Sequence, residues 1–139
     1  MKPKAKITVY TYVCGDILHI GHLVYLENAK SLGGILVVGV LTDEAIMEEK
    51  EAPLMSFDER IRLVSALQCV NVAIPQNTYS PISNIKLLEP DIVVESESHS
   101  KRLLTAVKNC AKSVGSKVIV LPYYPGKSSS QIKEKYGKS

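Results

Sequence analysis

Residues 7–26 read ITVYTYVCGDILHIGHLVYL. The stretch divides into three parts. Residues 7–13 mix β-branched and aromatic side chains in a Thr/Tyr alternation, which predicts a strand. Residues 14–22 follow neither a strand nor a helix period. They hold Gly15, Gly21, the acid Asp16 and two histidines, His19 and His22. From His22 to residue 32 the spacing turns helical, with Leu23, Leu26 and Ala29 on one stripe. A strand that runs through a glycine-bearing turn into a helix is the first half of a βαβ unit.

The same alternation continues outward from there. Segments 35–41, 70–74, 91–95 and 117–121 are rich in Val and Ile, and several are apolar on consecutive residues (ILVVGVL, DIVV, VIVL). Continuous apolar runs fit strands covered on both faces, the habit of a parallel sheet. Helical patterns lie between them. Residues 57–67 carry Ile61, Val64 and Leu67 and open on Ser56-Phe-Asp-Glu59, a capping box. Ser80 and Pro81 read as N-cap and N1 of a helix ending near Glu89-Pro90. Residues 101–113 are amphipathic through Leu104, Val107 and Ala111. Strands alternating with helices predict an α/β fold with a doubly wound, five-stranded parallel sheet. Residues 1–132 read as one domain and residues 133–139 as a polar tail.

The chain has 139 residues, 45% of them hydrophobic and 22% charged, a globular composition able to bury an ordinary core. A net charge of +3 with 6% aromatics gives no basic patch or stacking platform, so no nucleic-acid partner is expected. The apolar run 35–41 is far too short to span a bilayer. Three cysteines, Cys14, Cys69 and Cys110, stand far apart without a CxxC pair. That spacing argues against a disulfide framework and fits a cytoplasmic protein.

Ligands of such sheets bind beyond the carboxyl ends of the strands. Chemistry is therefore expected in segments 14–22, 42–55, 76–80, 96–101 and 122–130. In the first, Gly15 and Gly21 let backbone approach a ligand, and the opening turn of a helix favours an anion, phosphate above all. His19 and His22, spaced i, i+3, can turn both rings to one side of that helix start. Two imidazole N–H donors there suit a phosphate whose charge grows during reaction. A zinc pair would need a third ligand from Cys14, Asp16 or distant His99, which the spacing does not favour. Lys50 lies in the second segment, as a phosphate-binding cation or as a solvated residue of an acidic run. Arg60 and Arg62 follow on a helix, where a surface salt bridge is the plain alternative. Residues 125–132 read as a tight turn into a helix, with Gly126, Lys127, Ser128, Ser129 and Ser130 forming an anion cradle. Its alternative is a simple N-cap in a serine-rich loop. His99 follows the fourth strand with Glu95, Glu97 and Ser98, either facing ligand or as a charged surface loop.

VCGDILHIGH resembles the GxFDxxHxGH signature of the cytidylyltransferase-like nucleotidyltransferases. PLMSFDER resembles the segment before that family's second major helix, and Gly126-Lys-Ser-Ser-Ser-Gln-Ile132 resembles its RTxGxSTTxI motif. Order and spacing agree over nearly the whole chain, and the length is similar to that of short glycerol-3-phosphate or phosphoalcohol cytidylyltransferases. Val13 stands where the family has its first Gly, and Tyr123 where it has the Arg of the last motif. The resemblance implies a Rossmann-like sheet and transfer of CMP from CTP to a small phosphorylated or phosphonylated alcohol, with release of pyrophosphate. It implies His19, His22 and Lys50 as catalytic residues. Cys14, Gly15, Asp16, Gly21, Ser98, His99, Tyr123, Gly126, Lys127 and Ser128–Ser130 would line the nucleotide. Mg²⁺ is the implied cofactor, with Asp16 as its candidate ligand, and a homodimer the implied assembly. Adenylyl-transferring members, among them those acting on FMN, share HxGH, so adenylyl transfer is an alternative, as is a non-catalytic nucleotide-binding module.

Overall fold

The computed structural model describes residues 2–122. Its five strands form one sheet, ordered β3-β2-β1-β4-β5, every neighbouring pair parallel. The strands are β1 (Thr8–Val13), β2 (Ile35–Leu41), β3 (Val72–Gln76), β4 (Ile92–Ser96) and β5 (Lys117–Leu121). The helices are α1 (Ile20–Lys30), α2 (Asp43–Met47), α3 (Phe57–Ser65), α4 (Ile82–Leu88) and α5 (Lys101–Val114). This is the Rossmann-like, doubly wound sheet that the alternating patterns predict.

The two-residue period of the strands sorts the core into two layers. Tyr10, Tyr12, Val37, Leu41 and Val93 pack with Ala45, Ile46, Ile85 and Val107 on one face, under α2, α4 and α5. Val9, Leu36, Val38, Val40 and Val94 pack with Leu26, Ala29 and Val64 on the other, under α1 and α3. Tyr10 has room for its hydroxyl because Gly39, two residues along β2 from its register partner Val37, has no side chain: a Cβ there would stand 2.0 Å from the Tyr10 hydroxyl.

Several element bounds differ from the sequence reading, most by one or two residues. The third strand begins at Val72 and continues through Pro75 to Gln76. Proline is tolerated there because β3 is an edge strand, paired only with β2. Helix α4 takes Pro81 as its N-cap and begins at Ile82, whose N–H still reaches the Ser80 hydroxyl at 3.3 Å. Helix α2, capped by the Thr42 side chain, is an addition; five residues leave too little periodicity to read. The capping box at Ser56 and Glu59 forms as expected.

The chain winds outward from β1 to β3, then returns to lay β4 on the other side of β1. The connections leaving β1 and β4 therefore diverge to opposite sides, and the crevice of the fold opens between their carboxyl ends. Among the described residues no helix is long and apolar enough to cross a membrane.

Candidate active site

Three connections meet at that rim: the β1–α1 loop, the segment from α2 to α3, and the turn after β4. The β1–α1 loop is bent by two left-handed residues, Gly15 at φ 74° and Ile17 at φ 61°. A β-branched residue at positive φ costs about 1–2 kcal/mol, so the bend is held from outside. Asp16, 4% exposed, holds it. Its two carboxylate oxygens accept the backbone N–H groups of Leu54 and Met55, each at 3.0 Å. Asp16 thus ties the first loop to the segment before α3. In Asp16→Asn one of those N–H groups loses its acceptor. We expect a stability loss of about 1–3 kcal/mol in urea denaturation.

The loop delivers the chain into α1 two residues earlier than the apolar stripe indicates. His19 is the N-cap and His22 is N3. The two close a capping box of an unusual kind. His19 Nδ1 accepts the Gly21 N–H at 2.9 Å, and His22 Nδ1 accepts the His19 N–H at 3.2 Å. Histidine is not a favoured N-cap residue, which is why sequence placed the helix start at His22. The ring centroids lie 4.2 Å apart. An Nδ1 that accepts a backbone N–H carries no hydrogen of its own. Each neutral ring is therefore fixed in the tautomer with hydrogen on Nε2, a donor.

His22 is kept neutral by its surroundings. Burial lowers its pKa most, then the neighbouring His19, then Lys50, down to about 4 from 6.5. Lys50 is thereby close enough to His22 to act on it electrostatically. The sign of the linkage follows. Between about pH 6.5 and pH 4 the unfolded chain binds a proton at His22 that the folded chain does not. Stability from this group is complete above pH 6.5 and falls as the solution is acidified toward pH 4. An NMR titration should show the His22 ring resonances moving near pH 4; a midpoint near 6.5 would contradict the burial argument.

Arg60 joins the same loops from below. It is 0% exposed, which removes the surface salt-bridge alternative. Its Nη1 donates to the carbonyls of Cys14 and Leu41, both at 2.6 Å, where β1 and β2 end. Nε donates to the Met55 carbonyl at 3.2 Å and Nη2 to Asp43 at 2.6 Å. Gly15 lies against this residue; a Cβ there would stand 3.8 Å from Arg60 Cβ and 3.4 Å from Val64.

Glu95, at the end of β4, is 0% exposed, so the surface-loop alternative fails for it. Both its oxygens meet the Tyr12 hydroxyl, at 2.8 and 2.9 Å, and one meets His99 Nδ1 at 2.5 Å. The Tyr12 and His99 rings are stacked, 5.3 Å between centroids. Burial, and then the Glu95 carboxylate, push the Tyr12 pKa far upward, so the phenol keeps its proton and donates it. Ser98 is held through its hydroxyl by Ser96 at 2.8 Å. Sequence reasoning missed Tyr12; its only signal was the period of β1, which places it on the α5 face beside β4.

The sequence-identified residues Cys14, Gly15, Asp16, His19, Gly21, His22 and Lys50 gather around the first loop. Ser98 and His99 stand beyond β4, on the far side of β1. Tyr123, Gly126, Lys127, Ser128, Ser129 and Ser130 lie outside the described residues, as does the polar tail. Among the described residues no group of three or more His, Cys, Asp or Glu side chains is placed to hold a metal. Asp16 spends one lone pair of each oxygen on a backbone amide.

A parallel sheet whose first strand runs through a glycine loop into a helix capped by two histidines defines a Rossmann-like domain. The chain belongs to the cytidylyltransferase-like family, whose model matches residues 12–135. It is similar to the bifunctional protein HldE of Citrifermentans bemidjiense, 33% identical over 134 residues, covering 95% of this chain and 27% of that protein. The HldE of Helicobacter hepaticus is 34% identical over 94% of this chain and 27% of its own length. The chain thus spans about a quarter of the curated relatives it matches. A solved lipopolysaccharide core biosynthesis protein from Thermoplasma volcanium shares 26% identity and a TM-score of 0.74, covering 85% of this chain and 96% of that one. A pantoate-beta-alanine ligase from Francisella tularensis, at 15% identity and a TM-score of 0.65, shares the fold, covering 96% of this chain and 67% of that one.

Proposed function

We propose that the chain transfers a nucleotidyl group. A phosphate or phosphonate oxygen of a small acceptor attacks the α-phosphate of a nucleoside triphosphate, forming a new P–O bond. The bond between the α-phosphorus and its bridging oxygen to the β-phosphate breaks, and pyrophosphate leaves with the electron pair. The observation that carries this reading is the pair of rings at one helix start, each with Nδ1 accepting a backbone N–H, so that each ring, when neutral, carries its hydrogen on Nε2. Such donors stabilise charge that accumulates on the leaving pyrophosphate and ask for no proton in return. Lys50 adds a cation on a flexible stem. The hydroxyls of Ser128–Ser130, with Gly126 and Lys127, would hold the β- and γ-phosphates. An acceptor phosphate is already ionised near neutral pH, so no general base is needed. Positioning and charge stabilisation do the work. Mg²⁺ would arrive with the triphosphate, held mainly by phosphate oxygens and water.

The name of one similar protein, a lipopolysaccharide core biosynthesis protein, widens the acceptor class to be tested to sugar phosphates. The donor is read as CTP from resemblance to the short members of the family, with ATP as the alternative, because adenylyl-transferring members share HxGH and the names of the relatives do not specify a base. A pyrophosphate-release screen decides. CTP and ATP with Mg²⁺ are each paired with glycerol 3-phosphate, phosphocholine, aminoethylphosphonate and a set of sugar phosphates. Release that requires both partners supports transfer. Nucleotide binding without release from any pair would instead identify a non-catalytic binding module. A homodimer, proposed from family resemblance, is read by the mass of the particle in solution.

A further inference from the structure

The ladder between β1 and β4 is the shortest in the sheet. Strands β1 and β2 pair over six residues, but β1 and β4 pair over only two, and their ladder ends at Tyr10↔Val93. Beyond that point side chains bridge the gap. Thr11 is 0% exposed, and a buried hydroxyl on a strand needs a partner. It donates to the Val94 carbonyl across the gap at 3.0 Å. Its oxygen is then left to accept, and the Tyr25 hydroxyl stands 2.9 Å away. Burial above all pushes the Tyr25 pKa upward, so the phenol keeps its hydrogen and gives it to Thr11. The Tyr25 hydroxyl also approaches the Val94 carbonyl, at 3.4 Å. The line of donors thus runs from α1 through β1 to β4. On the opposite face Tyr12 and Glu95 bridge the same gap.

Tyr25 lies on α1 three residues after His22, on the same side of the helix. A long helical side chain leans back over the turn before its own, so the Tyr25 ring leans toward the turn that carries His22 as it reaches the sheet. Other interactions of α1 constrain that turn less directly. The cap bonds of His19 and His22 are internal to the helix start; they orient the rings relative to α1, not α1 relative to the sheet. Leu26 and Ala29 bury against the sheet, but apolar burial is non-directional. Lys30 anchors the far end of α1, at the Gly34 carbonyl and Asn71. We propose that Tyr25, acting through Thr11, is a positioning residue for His22: its hydrogen bond locks the first turns of α1 to the open end of the β1–β4 pair and so sets where the His22 ring meets the phosphates. The inference rests on the nucleotidyl-transfer reading above.

Steady-state kinetics with the substrate pair that releases pyrophosphate tests this. Tyr25→Phe keeps the ring and Thr11→Val keeps the shape of the side chain, and each removes one hydroxyl. Both should lower kcat by roughly 10-fold with little change in the KM for the triphosphate, inside the about 10²-fold that a misplacement of about 1 Å can cost. Thr11→Ser, which keeps the hydroxyl, should turn over close to wild type. The decisive comparison is made in His22→Ala. There Tyr25→Phe and Thr11→Val should cost nothing further, because the residue they position is gone. A merely structural effect would lower kcat by the same factor in both backgrounds, and that result overturns the proposal. So does full turnover in a folded Tyr25→Phe, or a Thr11→Ser as slow as Thr11→Val. Should Tyr25→Phe not fold, the Thr11 variants carry the same comparison. Each of these failures leaves nucleotidyl transfer standing. Absence of pyrophosphate release by the wild type from every pair, or full turnover in a folded His22→Ala, removes the reading of the histidine pair and this inference with it.

Discussion

His22→Ala should fold and lose about 10²–10³ in turnover. The fold survives because His22 contributes little to it. Its Nδ1 accepts one N–H at the start of α1, a cap interaction worth about 1 kcal/mol. The helix keeps its other cap, from His19 to Gly21. The rate falls because the outer nitrogen of His22 is a donor fixed in place before the reaction begins. A water molecule that replaced it would have to be oriented as the charge develops. The loss belongs mainly to kcat, since the interaction strengthens as the α–β bond breaks. The measurement is steady-state turnover with the nucleotide and acceptor pair that releases pyrophosphate, alongside a circular dichroism melt of the variant. Near wild-type turnover in a folded His22→Ala would refute the assignment of the histidine pair.

The depressed pKa of His22 sharpens this expectation. A free histidine near pH 6.5 would be charged half the time, and its extra hydrogen would have to occupy Nδ1, where the His19 N–H already points. Burial, His19 and Lys50 remove that competition by keeping the ring neutral down to about pH 4. His22 therefore offers the same donor throughout the neutral range.

Much of this architecture was legible in the sequence because apolar period and turn chemistry are local signals. The runs ILVVGVL and KVIVL mark β2 and β5 at their observed bounds, and the Ser56–Glu59 quartet marks the start of α3. The glycine loop and its two histidines were legible for the same reason. What was hidden is long-range. Nothing near Glu95 in the chain announces that it will be fully buried; its partner Tyr12 is 83 residues away. Arg60 is likewise matched to carbonyls 46 and 19 residues distant. A charged side chain becomes a core residue only when the fold brings it enough partners, and a one-dimensional pattern does not record where those come from. The exchange of caps between His19 and His22 was missed for a different reason: the i, i+3 spacing was visible, but histidine rarely caps a helix.

The largest stability effect is expected at Arg60. Its guanidinium binds the end of β1, the end of β2 and the segment before α3 together. Arg60→Ala would remove a charged donor from the carbonyls of Cys14 and Leu41. A hydrogen bond to a charged group is worth about 1.5–3 kcal/mol, so two amount to roughly 3–6 kcal/mol before any cavity term. Against a total stability of about 5–15 kcal/mol, that brings the domain near its unfolding threshold. Arg60→Lys should recover only part of the loss. A lysine carries its donors on one point at the end of a flexible stem and cannot span Cys14, Leu41, Met55 and Asp43 at once. Asp43→Asn should be mild, because the Asp43 side chain is 47% exposed and Arg60 keeps its carbonyl partners. Urea denaturation of the three variants checks the order: Arg60→Ala most destabilised, Arg60→Lys intermediate, Asp43→Asn within about 1 kcal/mol of wild type. Equal losses for Arg60→Ala and Asp43→Asn would mean that the ion pair, and not the carbonyls, is what Arg60 serves. The consequence reaches the site, since the carbonyl of Cys14 opens the loop that carries both histidines, and the carbonyl of Met55 belongs to a residue whose N–H is held by Asp16. Loosening Arg60 therefore loosens the histidine loop and the Lys50 segment in a single step, and any turnover that survives in Arg60→Lys should show a raised KM for the triphosphate as well as a lower kcat.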